Sequence, residues 1–139
     1  MHILSKFSRI IKGDLDVRGR LHNGDGTLKL ASGMRWGGLC TAEENLVLTE
    51  DYTLIRCDAT GNHINLTLPE ATVDNLGIIY SIIRITGTPG NQVRIATSGG
   101  DLIDGGAGPF VLNNNRESVM LTNCGVPGSY QWVIMAAYN

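Results

Sequence analysis

The chain has 139 residues, 42% of them hydrophobic, with 18 glycines and a formal net charge of −2 at pH 7. This length suffices for one domain with an appendage but not for two full domains, and the charge does not favour binding to nucleic acid or to an anionic membrane. No stretch approaches the ~20 apolar residues of a membrane-spanning helix and no secretory signal begins the sequence, so we expect a protein that folds in a cytoplasm.

The first twelve residues predict a short amphipathic helix. Hydrophobic side chains recur at helical spacing, polar and basic ones take the opposite side, and Gly13 ends the pattern. A helix this short is marginal alone in water, so its apolar face needs a partner. Docking to a larger assembly or to other copies is one interpretation, and an unstructured or strand-like terminus and a basic membrane-surface helix are the other two. The predicted anchoring residues are Ile3, Leu4, Phe7, Ile10 and Ile11.

Residues 12–38 predict a β-ribbon cut by glycine turns. Hydrophobic and polar residues alternate on either side of the turn at residues 22–26, which is the period of a strand with one buried face. Two or three such short strands cannot bury a core alone, whereas three copies wrapped around one axis can. We therefore expect a homotrimer built on this ribbon and on the exposed face of the β-sandwich that follows it. The ribbon's predicted interface residues are Leu15, Val17, Leu21, Leu28 and Leu30.

The glycines around Trp36 predict the junction between this arm and a globular domain. The sequence divides into an anchoring arm and trimerising ribbon at 1–38, a linker at 39–45 and a β-sandwich domain at 46–139. Strands are predicted at 46–48, 53–57, 64–68, 78–85, 92–97, 110–112, 118–122 and 130–136. Residues 69–76 predict one helical turn closed by Gly77, and residues 88–91 (TPGN) predict a tight turn.

The segment 62–104 is the centre of this domain. Strand 64–68 alternates between apolar and polar residues, whereas 78–85 is nearly all apolar and is typical of a strand covered on both faces. With 92–97 they predict an antiparallel meander, and about eight strands at this spacing suggest a jelly roll. The predicted fold class is all-β, with an N-terminal helical arm and β-ribbon followed by a jelly-roll-like antiparallel β-sandwich.

The succession NLTLPEAT, GIIYSIIRI, VRIATSGGDLIDG and YQWVIMAA resembles the β-sandwich domain of tailed-phage virion proteins, over roughly residues 46 to 139. The segment GDLDVRGRL is similar to the short β-repeats in the shafts of trimeric phage fibres. The resemblance implies a trimeric virion appendage, namely a short tail fibre, a head fibre or a capsid decoration. It also implies contacts with other virion proteins, such as capsid, portal or tail subunits.

No residue pattern predicts catalysis or a cofactor. The loop 99–106 could in principle hold calcium through Asp101 and Asp104, but it lacks the repeated nonapeptide of calcium-binding β-rolls, and a tight turn with Leu102 and Ile103 in the core is the preferred interpretation. The three histidines lack zinc-ligand spacing, and no serine or cysteine lies in a nucleophile signature. We expect no metal, no cofactor and no enzymatic activity.

The three cysteines, Cys40, Cys57 and Cys124, show no metal-binding spacing. Reduced, buried or half-buried thiols are the preferred interpretation, and a disulfide between Cys57 and Cys124 is the alternative.

The sequence therefore predicts a non-enzymatic virion structural protein that binds copies of itself and other virion proteins, without nucleic acid and without membrane insertion. The alternative is a carbohydrate-binding module that reads a host surface glycan. Its aromatic residues would be drawn from Tyr52, Tyr80, Tyr130, Trp132 and Tyr138.

Overall fold

The computed structural model describes residues 38–125 and 131–138. These residues form strands and one 3₁₀ turn at Val73–Asn75. The strands are β1 (Gly38–Ala42), β2 (Leu46–Val47), β3 (Tyr52–Ala59), β4 (Ile64–Leu68), β5 (Ile79–Gly87), β6 (Val93–Thr97), β7 (Leu102–Ile103), β8 (Phe110–Leu112), β9 (Ser118–Asn123) and β10 (Gln131–Tyr138).

The strands build two sheets, one of six strands in the order β1-β3-β5-β9-β10-β7 and one of four in the order β2-β4-β6-β8. The pairs β1–β3, β3–β5, β2–β4, β4–β6 and β7–β10 are parallel. The pairs β5–β9, β9–β10 and β6–β8 are antiparallel. Both sheets are therefore mixed.

From β1 to β6 the chain alternates between the two sheets, and each strand pairs in parallel with the strand two places further along. This winding is a short β-coil of three turns: β1–β2, β3–β4 and β5–β6. Strands β9 and β8 then pair antiparallel with β5 and β6, the two strands of the third turn.

The core lies between the sheets and takes side chains from both. Ile55 and Ile82 of the six-stranded sheet and Leu66 and Ile95 of the four-stranded sheet are fully buried members of one hydrophobic cluster. Each alternates along its strand with a more exposed residue, as the period of two requires. Burying a side chain of this size contributes ~1.5–3 kcal/mol, so this shared core is what holds the sheets together.

Hydrogen bonds at the corners join one turn of the coil to the next. At the second and third turns, Asn91 Nδ2 donates to Ala59 O at 2.9 Å and Thr88 Oγ1 donates to Thr60 O at 2.7 Å. At the first and second turns, Asn45 Oδ1 accepts from the backbone N–H of Asn65 at 2.8 Å. Polar corner residues thus satisfy backbone groups that the strands leave unpaired.

The all-β, sandwich-like architecture is confirmed, but the predicted antiparallel meander is wrong. Strands β4 and β6 pair with each other in parallel, and β5, which lies between them in sequence, belongs to the other sheet. The links 69–78 and 88–92 cross between sheets, so the winding is a coil rather than the antiparallel order of a jelly roll. Alternation identifies which face of a strand is buried, but it does not identify the strand beside it.

Three local predictions can be compared with the structure. The predicted linker 39–45 contains most of β1, which pairs with β3. The predicted turn 99–106 contains the two-residue strand β7, with Ile103 buried. The predicted helical turn is confirmed as the 3₁₀ turn at Val73–Asn75, followed by Gly77 at φ 78°. The predicted helix at 1–12 and nearly all of the ribbon at 12–38 lie outside the described residues.

Candidate functional site: the outer face of the six-stranded sheet

The predicted anchoring and trimerising residues all lie outside the part of the chain that the structure describes, so their roles stay predictions. They are Ile3, Leu4, Phe7, Ile10, Ile11, Leu15, Val17, Leu21, Leu28 and Leu30.

The outer face of the six-stranded sheet, the side turned away from the core, carries an apolar row across five strands. Leu39 of β1 lies opposite Leu54 of β3, and the row continues through Ser81 of β5 and Met120 of β9 to Ala136 of β10. The side chains of Leu39, Leu54 and Met120 are 51%, 40% and 38% exposed. Solvent therefore reaches large apolar side chains at three strands of the row.

Strand β5 extends this apolar surface. Ile79 and Ile83 on its outer side are only half-buried, and Ile85, beside a register shift, is exposed. A strand with this composition is typical of one covered on both faces. The described part of the chain covers only the inner face, so the outer face has the composition of an interior and the exposure of a surface.

Few charges interrupt this face. Among all the residues of its six strands, only Arg56, Asp58 and Arg84 carry a charge, and Arg84 is buried on the inner side. Arg56 Nη2 donates to Thr41 Oγ1 at 2.8 Å. Hydrogen bonds from the hydroxyl and the backbone N–H of Thr60 lower the pKa of Asp58, which keeps this carboxylate ionised at neutral pH.

The outer face of the four-stranded sheet is mainly polar, unlike that of the six-stranded sheet. Asn65, Thr67 and Arg94 occupy its centre, with Val47 exposed at its edge. Arg94 Nε donates to Gln92 Oε1 at 2.9 Å. This face is smaller and polar, and therefore shows no mismatch between composition and exposure.

The two candidate calcium ligands have structural partners. Asp101 Oδ2 accepts from the backbone N–H of Ala71 at 2.7 Å, and Asp104 Oδ1 accepts from that of Ile134 at 3.0 Å. Each carboxylate thus fastens loop 99–106 to a distant segment of the chain. Within residues 38–125 and 131–138, no group of three or more His, Cys, Asp or Glu side chains is placed to hold a metal ion.

The aromatic residues considered for glycan binding are divided between core and surface. Tyr80 and Trp132 are fully buried, with ring centroids 5.5 Å apart. Burial raises the pKa of Tyr80 to about 12, with a smaller contribution from Glu50. Only Tyr52 and Tyr138 are exposed, and Tyr130 lies outside the described residues.

An open cavity of about 710 Å³ lies at the first corner of the coil. Its lining includes Glu43, Glu44, Asn45 and Asn62. Among the described residues, its lining has no aromatic platform and no cation, so the chemistry of this lining favours neither a sugar ring nor an anion.

The three cysteines are free thiols, with Cys57 buried, Cys40 half-buried and Cys124 exposed. Burial raises the pKa of Cys57 to about 12, and the neighbouring Cys40 adds to the shift. A raised pKa keeps Cys57 protonated and unreactive near neutral pH.

No protein-family model matches the chain, and no curated protein matches its sequence. Among the described residues, no helix has the length and apolar character that a membrane crossing requires.

The sequence led us to expect that an exposed face of the sandwich joins the copies, but it did not identify which face. The apolar run 78–85 predicted a strand covered on both faces, but residues 38–125 and 131–138 cover only its inner face. The predicted linker concealed β1, so the contribution of Leu39 to the face was missed.

Proposed function

We propose that this protein is a non-enzymatic structural subunit of a tailed-phage virion: a short trimeric fibre or spike, or a capsid decoration, located in the virion and attached through its N-terminal arm. The resemblance of residues 46–139 to virion β-sandwich domains motivates the assignment, and the all-β architecture supports it. Other virion proteins are the proposed partners of residues 1–38.

The observation that carries the proposal is the outer face of the six-stranded sheet. Exposed contiguous apolar surface on a folded domain marks an interaction site. A second copy of this chain suits it because contact between identical surfaces brings identical charges together, which requires a nearly uncharged face. Its two charges are the exposed Arg56 and the half-buried Asp58, and they have opposite signs.

The energetics indicate that this face does not act alone. Four of its side chains, those of Leu39, Leu54, Met120 and Val133, are 38–51% exposed. Covering them contributes roughly 3–5 kcal/mol per copy, whereas association costs an estimated ~4–15 kcal/mol. A stable trimer therefore needs a further contact, which we assign to the ribbon at residues 12–38.

The mass of the full-length protein in solution, by native mass spectrometry or sedimentation, tests the proposal. We expect a trimer. The double variant Leu54→Lys/Met120→Lys places two like charges per copy on the face, and we expect it to lower the trimer population at least tenfold at micromolar concentration.

The matched control is Asn65→Lys/Thr67→Lys, which adds the same charge to the outer face of the four-stranded sheet and should leave the trimer intact. Thermal unfolding of each separated species distinguishes lost association from lost folding. A monomeric native protein, or a trimer that tolerates lysine at 54 and 120, would contradict the proposed interface.

A further inference from the structure

We propose that the six-stranded sheet continues from one copy to the next, with β10 of one copy pairing in parallel with β1 of its neighbour. This inference rests on the proposed trimer and adds to it the edge contact through which the copies join. Its observations are separate from the exposure of the sheet face.

The first observation is that half of β10 has a strand on one side only. Strand β7 pairs with Gln131 and Trp132, while β9 pairs with β10 from Trp132 to Tyr138, with a register shift at Met135. Within the described residues, the stretch from Met135 to Tyr138 thus has no neighbour on the β7 side. All four of its side chains are exposed, with Met135 at 53% and Tyr138 at 67%.

The second observation is that this edge carries none of the usual protection. Exposed strand edges are normally guarded by lysine, proline or inward-pointing charges, because their free N–H and C=O groups recruit other strands. The sequence of β10 beyond Trp132, VIMAAY, contains no charge and no proline. Such an edge is suited to accept a strand.

The third observation is that β1 is an uncharged edge strand like the open half of β10. Strand β1, Gly38–Ala42, is the opposite end strand of the same sheet, is also free of charge and proline, and has only β3 as a described neighbour. Its five residues are enough to pair with all four residues of the open half of β10. Neither strand brings a charge that the other would leave unpaired.

Strand direction decides how the two edges join. β1, β3 and β5 are parallel, β9 runs opposite to β5, and β10 runs opposite to β9, so β10 and β1 point the same way. Rotation about an axis along the strands keeps that direction and places β10 beside β1 of the next copy as a parallel pair. Such head-to-tail contacts close into a ring, and in every copy β1 and the open half of β10 are then paired. A two-fold β10–β10 pairing would leave both β1 edges open.

A three-copy ring also encloses the apolar face. Six strands at a spacing of about 4.8 Å make a sheet roughly 24 Å wide, so three sheets arranged as a triangle lie roughly 7 Å from the axis. Facing sheets in protein cores are about 10 Å apart, so side chains from three faces can fill this space. The edge contact and the covered face are therefore compatible in one trimer.

The side-chain pattern supplies a cross-linking test. Cys40 is opposite the fully buried Ile55, and Ala137 is opposite the buried Val119, so both lie on the inner side of the sheet. Ala136 is opposite Met120, on the outer side. Within one chain β1 and β10 are four strand spacings apart, roughly 19 Å. A short cross-linker between residues 40 and 137 therefore has to join two copies.

The experiment uses the full-length protein with Cys124→Ser, which removes the exposed thiol, and a short bismaleimide. We expect Ala137→Cys to give covalent dimers and trimers, ending at the trimer, on a denaturing gel. Ala136→Cys, on the other side of the sheet, and Ala137→Cys/Cys40→Ser, which lacks the partner thiol, should give at least tenfold less product.

Each other outcome counts against a specific statement. A native trimer without cross-linking in the Ala137→Cys variant overturns the edge contact and leaves the proposed function intact. Cross-linking that persists without Cys40 and stops at the dimer indicates β10–β10 pairing. This result would also overturn the β10–β1 contact. A native monomer overturns both this inference and the proposed trimer.

Discussion

At the scale of single residues, Glu117 is a buried carboxylate that organises the β8–β9 turn. Its oxygens accept hydrogen bonds from the backbone N–H groups of Asn113 and Asn114 and from the Asn114 side chain. Burial by itself raises the pKa of Glu117, but the bonds from Asn114 and Asn113 and the charge of Arg84 outweigh it, so the pKa lies below its ordinary value of 4.5. A lowered pKa means that ionised Glu117 stabilises the folded state.

We therefore expect Glu117→Gln to lower the free energy of unfolding by roughly 1–3 kcal/mol at pH 7, since a charged acceptor is lost. The stabilisation is fully present above the unfolded-state pKa and is lost as the pH falls through the folded-state pKa. Urea unfolding at pH 7 and pH 3 should accordingly show a smaller difference between variant and native protein at pH 3. The exposed Glu44→Gln serves as the control, and an equal difference at both pH values would contradict this role.

The buried side chain of Arg84 could be predicted from the sequence, but its contacts could not. Arg84 shares the buried side of β5 with Tyr80 and Ile82, so the period of two predicts that it points inward. The Nη2 group of Arg84 donates to Thr88 O at 3.3 Å, and a Cβ on Gly87 would come within 2.7 Å of Nε. Gly87 is the last residue of β5 itself, whereas Glu117 comes from the β8–β9 turn. Strand periodicity cannot predict such contacts.

At the scale of elements, the corners of the coil combine predictable turns with unpredictable stacking. The turn at 88–91 is confirmed: Asn91 N donates to Thr88 O at 3.0 Å and Gly90 has φ 92°, as a type II turn requires. Its side chains then bond to the corner of the preceding turn, about thirty residues earlier. The residue types of the turn were enough to predict it from the sequence. Which earlier corner the turn contacts depends on how the β-coil is wound, and the sequence did not predict that.

Asn91→Ala should lower the free energy of unfolding by about 1 kcal/mol, because Ala59 O loses a donor and keeps only the weaker bond from Thr88 N at 3.3 Å. Chemical denaturation measures the change. Asn115→Ala, an exposed asparagine in another turn, is the comparison and should be within experimental error of the native protein. Equal effects of the two substitutions would show that the corner bond contributes nothing.

At the scale of the whole molecule, the sequence predicted the class of fold but not its winding. Strands β2 to β6 and β8 to β10 were predicted near their observed positions because apolar alternation and turn residues are local signals. Parallel pairing of β3 with β5 and of β4 with β6 joins segments almost thirty residues apart. The predicted antiparallel meander and the observed β-coil bury the same faces of these strands. Composition and periodicity therefore could not distinguish the two arrangements.

Attachment to a particle is the whole-molecule property that the proposal assigns to residues 1–12. Deleting them should give a soluble protein whose β-coil keeps its free energy of unfolding but which is no longer incorporated into virions. Purified particles from cells supplying the truncated and the full-length chain provide the measurement, with equal expression as the control. Normal incorporation of the truncated chain would contradict the assignment.

The position of β10 has a consequence for biosynthesis. This strand fits between β9 and β7, although β7 is made almost thirty residues earlier. A nascent chain that lacks β10 leaves β7 without its partner strand and Tyr80 without the ring of Trp132 against it. The domain therefore acquires its complete core only after nearly all of it has left the ribosome. Prematurely terminated products would expose interior surface and be marked for degradation before they could join an assembly.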